Sequence, residues 1–411
     1  MYLTFAWRYF KAKKSANAIN IIAWVTVSVI AFATCCQILV LSVFNGFEDL
    51  VKSLYGAFYT DLKITPAKGK TFLLTPQQIE AIKKSNGVFG ISLIAEEKAL
   101  LQNNDNNDNQ QTTITLKGVD DNYKNITGVA AKTIEGKFET GTIDNPGLVV
   151  GYGIQNAAAV SVNEKFQPST VTLILPKRGK VSVSNPENSL SEGNAVARGV
   201  FSIQQDFDNK YAITNIDFVK QQMNFAADEY SAVEIKLNSN ADAAVGQLAL
   251  KKMLGSNYLI RTKYQQNQSL YSTMKMEKWF IYAVLTLILL VAAFNMISAL
   301  TMLVLEKQKD ITILQSMGAA KNMVLKIFLS EGLLLAGIGA VSGILLALIV
   351  CFLQVKFKLI KIQGGSFLID YFPVKLELAD FILVASTVSV IAFFASWLPA
   401  RKAANQAIEL R

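Results

Sequence analysis

Four stretches of this sequence, residues 19–44, 279–305, 323–353 and 378–398, are long and almost wholly apolar. A helix needs about 20 such residues to cross the hydrocarbon core of a bilayer. Each stretch meets that length, and the third is long enough to tilt or to project beyond the lipid. Between the first and second lies a polar segment, 45–277, of roughly 230 residues, enough to bury a core of its own. The chain therefore reads as part membrane and part water-soluble.

The composition agrees. At 51% hydrophobic and 17% charged residues, the chain is too apolar for an ordinary soluble protein and too polar for a wholly membrane-embedded one. The first run is expected to stay as an uncleaved anchor, being too long for a signal-peptide core. "FATC" before Cys35 resembles a lipoprotein cleavage box, but Thr34 stands where a Gly or Ala is wanted. Cys35, Cys36 and Cys351 all fall in apolar runs, so no disulfide framework is expected and they read as small buried hydrophobes. There is no histidine, which removes the commonest general base and metal ligand.

Residues 1–18 read as an interfacial amphipathic helix, with Tyr2, Phe5 and Tyr9 on one face and Arg8, Lys11, Lys13 and Lys14 supplying charge. Basic flanks favour the cytoplasmic side. Four crossings then put 306–318 and the tail 399–411 in the cytoplasm, and 45–277 and the loop 354–377 outside. Lys356, Lys358, Lys361 and Lys375 in that outer loop run against the charge rule.

The segment 45–277 mixes strand and helix signals. "TDLKIT" (60–65), "TTITLKGV" (112–119), "STVTLIL" (169–175), "ARGVFSI" (197–203) and "SAVEIKL" (231–237) read as strands. Residues 75–85 and 240–254 read as helices, the former opened by a capping Thr75 and Pro76. A two-lobed α+β domain is expected. Near-matches to catalytic motifs fail. "GKT" (69–71) lacks the earlier glycine of a phosphate loop, "VVGYGIQNAA" has Asn156 at the third glycine position, and "STMK" (272–275) lacks its companion motifs. "NNDNNDN" (103–109) lacks the glycine and final glutamate of a calcium loop and reads as a solvated hairpin tip. The polar stretch 176–199 reads either as a mobile loop or as a protruding hairpin that holds a partner.

In the third run, Gly332, Ala336, Ala340, Gly343 and Ala347 form a stripe of small residues, which permits close helix contact within this subunit or against a second one. Glu331 is an acid early in that run, near the cytoplasmic interface; it reads as making a structural contact, with a proton-relay role as the alternative. Between the second and third runs, "EKQKDITILQSMGA" (306–319) sets Glu306 and Asp310 four apart, with Ile311 and Leu314 on a neighbouring face and Gly318 as a helix stop. A short amphipathic helix held between two spans is placed to take a push from a soluble partner.

At these residues the chain resembles the FtsX-like/MacB-like permease family of type VII ABC transporters, and within it the LolC/LolE-type subunits of the lipoprotein-releasing complex. The likeness rests on "FAWRYFKAKK", "LVLSVFNGFEDL", "ITLKGVD", "IEGKF", "LVVGYGIQNAAAVSV", "EKQKDITILQSMGA", "SEGLLLAGIGAVSG" and "LPARKAANQAIELR". The resemblance implies a MacB-like periplasmic domain between helices 1 and 2 and a bacterial inner-membrane location. It implies no catalysis and no cofactor in this chain, with ATP and Mg²⁺ held by a separate LolD-like ATPase subunit. It implies a second permease subunit, the same or different, a lipoprotein substrate, a LolA-like periplasmic carrier, and no nucleic acid. It assigns contact with the ATPase to Glu306, Lys309, Asp310, Ile311, Leu314, Met317 and Gly318. It assigns acyl-chain contacts to Val40, Val43, Phe44, Phe47, Met274, Met276, Phe280 and Ile281. Two other activities within the family stay open at this point: export or mechanical signalling of the MacB kind, and FtsX-like regulation of a cell-wall hydrolase.

Overall fold

The computed structural model describes residues 17–103, 110–162, 168–177, 189–361 and 371–405. The expected interfacial helix falls outside the described residues except for its last two positions. The chain divides into two units: Met1–Leu50 with Ser272–Arg411, and Val51–Tyr271.

The first unit holds α1 (Asn17–Phe58, up to Leu50), α2 (Gln268–Glu306, from Ser272), α3 (Gln308–Ser316), α4 (Lys321–Phe357) and α5 (Leu378–Ala404). All but α3 are long and apolar enough to cross a membrane. The helices overrun the apolar runs. Helix α1 continues past Phe44 to Phe58 and α2 starts well before Trp279. The reason is a change of pattern: beyond Phe44 the apolar residues thin out to one face, so hydropathy falls while the helix persists. Helix α5 likewise carries Pro399 inside it and runs to Ala404.

The stripe of small residues packs within the subunit. Ala336 and Ala347 are buried in the core shared by α1, α2, α4 and α5. A Cβ on Gly332 would lie 2.2 Å from Ser396 Oγ of α5, and one on Gly343 would lie 2.4 Å from the Ala31 carbonyl of α1. These glycines let helix backbones touch, which is how helices associate without a hydrophobic drive between them.

The second unit is built on one mixed sheet of ten strands. Its strands are β1 (Leu62–Pro66), β3 (Val88–Asn103), β4 (Gln110–Val119), β5 (Thr133–Gly136), β6 (Gly147–Gly151), β7 (Thr170–Pro176), β8 (Leu190–Phe201), β9 (Tyr211–Asn215), β11 (Ala232–Leu237) and β12 (Tyr258–Thr262). The order is β12-β1-β11-β3-β4-β9-β6-β8-β5, with β7 bridging β3 and β8. The short strands β2 (Phe72–Leu73) and β10 (Glu229–Tyr230) pair separately. Two cores form. One, around Leu62, Ile64, Leu116 and Val233, is covered by the helices Pro76–Lys83, Ile216–Met223 and Ala243–Leu254. The other, around Ile94, Val119, Val149 and Phe201, receives Tyr55 and Phe58 from the end of α1. The expected start at Thr75 holds, with Thr75 and Gln78 capping each other reciprocally, whereas the helix expected from 240 begins at Ala243, capped by Asp242.

Of the two readings of 176–199, the hairpin is the one observed on either side of 178–188: Leu190–Phe201 forms strand β8, longer than the 197–203 strand expected, and pairs β7 antiparallel from Thr170–Val196 to Pro176–Leu190. Burial alternates from Ala195 to Gly199, while the outer part, 190–194, is exposed or half-buried and rich in turn-forming Gly, Asn and Ser. Residues 178–188, the rest of that stretch, lie outside the described residues, as do 104–109 of the asparagine tract. Gly151 and Gly153, weighed as a nucleotide loop, serve packing: Cβ atoms there would meet the Asp208 carbonyl at 2.2 Å and Asn209 Oδ1 at 1.7 Å.

A row of charges crosses the second face of the sheet. Lys63 opposes Glu234, and Glu96 opposes Lys117, in the strand register. Lys117 is fully buried, with Nζ 2.8 Å from Glu234 Oε1 and 3.1 Å from the Tyr123 hydroxyl. The same ammonium lies 4.6 Å from the ring centre of Phe58, the last residue of α1. A cation is favoured there twice, by the ring face and by the negative end of the helix dipole. Burial alone would raise the Glu234 carboxyl, but Lys117 and Lys63 hold it below the usual carboxylate range.

Two expectations follow. Gly343→Ala should destabilise the bundle by about 1–3 kcal/mol, read as earlier thermal unfolding in detergent. Lys117→Met should cost about 3 kcal/mol by stripping Glu234 of its closest partner, while Lys117→Met with Glu234→Leu should be near neutral in denaturant unfolding. Because the Glu234 pKa is depressed in the fold, the pair contributes fully above about pH 4.3 and loses its contribution as pH falls through the lower native value.

Candidate functional site: the interrupting helix and the α1 and α2 apolar faces

Helix α3 begins where α2 breaks. Lys307, at φ −87° and ψ 10°, ends one helix and starts the next, and its ammonium pairs with Asp310 at 3.3 Å. At the other end Gly318 takes φ +93°, a conformation that disfavours any side chain, and the Ala319 N–H donates to the Leu314 carbonyl at 3.0 Å. Both ends of the helix are thus set by local cap geometry.

Its two faces differ from the sequence expectation in one respect. Ile311 is 2% exposed and packs in the bundle core, so it fixes α3 to the spans and is not open to a soluble partner. Leu314, Asp310 and Glu306 are half-buried, while Lys309, Met317 and Gly318 are exposed. The exposed face also includes Ile313, 58% exposed, which the spacing argument passed over. The signal for it was present: Ile311 and Ile313 stand two apart, so one helix face cannot hold both. An apolar, open surface of Ile313 and Met317 flanked by Lys309 is suited to seat in a groove of another protein.

The residues assigned to acyl contact divide three ways. Val40 of α1 and Met276 and Phe280 of α2 are exposed, the last at 70%. Val43, Phe44, Phe47 and Ile281 are half-buried, and Met274 is buried. Phe47 stands edge-on to Phe372 at 5.8 Å between ring centres. Trp279 and Tyr282 lie perpendicular at 5.7 Å, amphipathic rings of the type that settle at a bilayer interface. Between the helices, Gln37 of α1 donates to Thr286 of α2 at 3.3 Å.

The fourth apolar run also holds an acid, Asp380. It is buried and paired with Lys278 at 3.1 Å. A window average dilutes one acid among many apolar neighbours, so hydropathy alone conceals it. Glu331, the acid of the third run, is 2% exposed. Outside the spans, the Lys375 ammonium is raised by its hydrogen bond to Asp49 at 2.6 Å. Among the described residues no group of three Asp, Glu or Cys side chains could hold a metal ion.

Comparison with known proteins matches the same two parts. Residues 23–252 match the MacB-like periplasmic core domain, and residues 282–408 match the FtsX-like permease C-terminal family. The chain is 26% identical to the lipoprotein-releasing system transmembrane protein LolC of Neisseria meningitidis, over 97% of this chain and 95% of that one. It is 25% identical to LolE of Haemophilus influenzae, over 97% and 96% respectively. The periplasmic region of MacB from Actinobacillus actinomycetemcomitans aligns with 54% of this chain at a TM-score of 0.37 and 14% identity. With more than half its length in one family match and its last spans in another, the chain belongs to the FtsX-like permeases that carry a MacB-like periplasmic core domain.

Proposed function

We propose that this chain is the membrane subunit of an ABC transporter that releases lipoproteins from the bacterial inner membrane to a periplasmic carrier. A separate ATPase subunit binds ATP and Mg²⁺ and drives it. The observation that carries the reading is the end-to-end likeness, 97% of this chain, to relatives named for lipoprotein release.

The chemistry of the task suits the residues present. Moving an acyl chain from lipid to water costs about 0.8 kcal/mol for each CH₂, so extraction needs an apolar shelter and an energy source. Val40, Met276 and Phe280 supply exposed apolar surface, and Val43, Phe44, Phe47, Met274 and Ile281 back it. Helix α3 supplies the point of entry for work. An ATPase that closes on ATP would press on Lys309, Ile313 and Met317, with Glu306, Asp310, Leu314 and Gly318 shaping the contact and Ile311 passing the load into the bundle. Helices α1 and α2 would carry it to the outer domain. The chain works beside a second permease subunit, and the hairpin of β7 and β8 is the candidate place for a carrier to dock.

A second reading has one specific support, a 26% identity over 39% of this chain to the macrolide export protein MacB of Mannheimia succiniciproducens. Mass spectrometry of the complex purified from membranes separates the two. Triacylated lipoproteins bound to it are the expected result, whereas macrolide-stimulated ATP turnover without bound lipoprotein would replace this reading with export. For the coupling surface, Asp310→Lys, Leu314→Glu and Met317→Glu should each lower substrate-stimulated ATP turnover at least about tenfold with the outer domain still folded. Normal turnover in all three would remove α3 from that role.

A further inference from the structure

One polar cluster in the membrane unit belongs neither to α3 nor to the apolar contacts. Asn45 of α1 is 1% exposed, and its Nδ2 donates to Asp380 Oδ2 of α5 at 2.5 Å. Its Oδ1 accepts from Lys278 Nζ of α2 at 2.8 Å. Lys278 in turn lies 3.1 Å from Asp380 Oδ1. The carboxylate sits in the first turn of α5, where free backbone N–H groups favour negative charge. Asn45 therefore meets a carboxylate with its amide NH₂ and an ammonium with its carbonyl. An aspartate would repel Asp380, and a leucine would offer neither contact.

A second set of contacts runs alongside. The Lys375 N–H donates to the Ser42 carbonyl at 2.9 Å, and its ammonium pairs with Asp49. A Cβ on Gly46 would lie 2.3 Å from the Pro373 carbonyl, so the two backbones are in contact. Residues 373–380 thus lie along α1 from Ser42 to Asp49, with Ser42, Asn45, Gly46 and Asp49 each making one of the contacts. Breaking a largely buried ion pair at the edge of the hydrocarbon leaves unpaired charges that are costly there, so the three helices have reason to stay joined.

We propose that Asn45, Lys278 and Asp380 form a polar clasp that makes α1, α2 and α5 move as one body at this end of the bundle. Asn45 is its central positioning residue. The functional half of this inference rests on the reading of the chain as a force-transmitting permease; the geometric half does not.

The test uses the full chain with its ATPase in lipid nanodiscs. Asn45→Leu, Asp380→Asn and the charge swap Lys278→Asp with Asp380→Lys are compared with the unaltered chain. Amide hydrogen exchange at Lys375 reads whether the segment still rides on α1. Both single variants should exchange there about tenfold faster. They should release about tenfold less lipoprotein per ATP hydrolysed while basal ATP turnover stays within about twofold. The charge swap should restore part of both losses. Unchanged exchange in both single variants overturns the clasp, as does a charge swap no better protected than Asp380→Asn. Faster exchange with undiminished release per ATP overturns its role in transmission. Exchange that responds as expected in a chain that releases no lipoprotein supports the clasp and removes the lipoprotein reading instead.

Discussion

Helix α1 must satisfy two surroundings along a single rod, and the rest of the molecule is arranged around that constraint. Up to about Leu41 its buried side chains, such as Ile38 and Leu41, are part of the bundle core. From Val51 onward, Tyr55 and Phe58 belong to the core of the outer domain. The change of character falls at Asn45 and Gly46, where the helix turns polar and smooth rather than ending. Backbone continuity there is free of cost to the hydrogen-bond ladder, since a helix satisfies its own N–H and C=O groups in lipid and in water alike.

Each end of α1's companion surfaces is held by a different physical device. In the bundle, Gly332 and Gly343 trade side-chain volume for backbone contact, which works where lipid supplies no hydrophobic drive. In the outer domain the last turn of α1 is met by aromatic rings, with Phe58 stacked 4.3 Å from Phe207, and by the buried ammonium of Lys117. The first device fixes register by shape, because sliding would bring side chains such as Leu333 or Ile344 into the space the glycines leave; the second fixes it by direction, since a cation over a ring and a charge pair both lose energy quickly with displacement.

The span-forming runs, the α3 interruption and the α+β character of the outer domain were legible in the sequence because each rests on a local signal: apolar run length, a charged break ending in Gly318, and alternating β-branched stretches. What was illegible rests on partners distant in sequence. The first half of strand β8, 190–196, is recognisable only from its pairing with β7. Gly151 and Gly153 mimic a phosphate loop until Asp208 and Asn209 are seen filling the space. The burial of Ile311, the openness of Ile313 and the pairing of Asp380 with Lys278 all depend on which way a helix faces, and a mean over a window erases that. Asn45 needed two partners, one of them 335 residues away.

The tryptophans carry a practical consequence. All four of them, Trp7, Trp24, Trp279 and Trp397, belong to the stretches that make up the membrane unit, and none lies between Val51 and Tyr271. Beyond the weak, shorter-wavelength phenylalanine bands, the outer domain absorbs and emits through tyrosine. Excitation at the red edge of the indole band therefore addresses the bundle without the domain, giving the two units separate optical channels in the unlabelled protein.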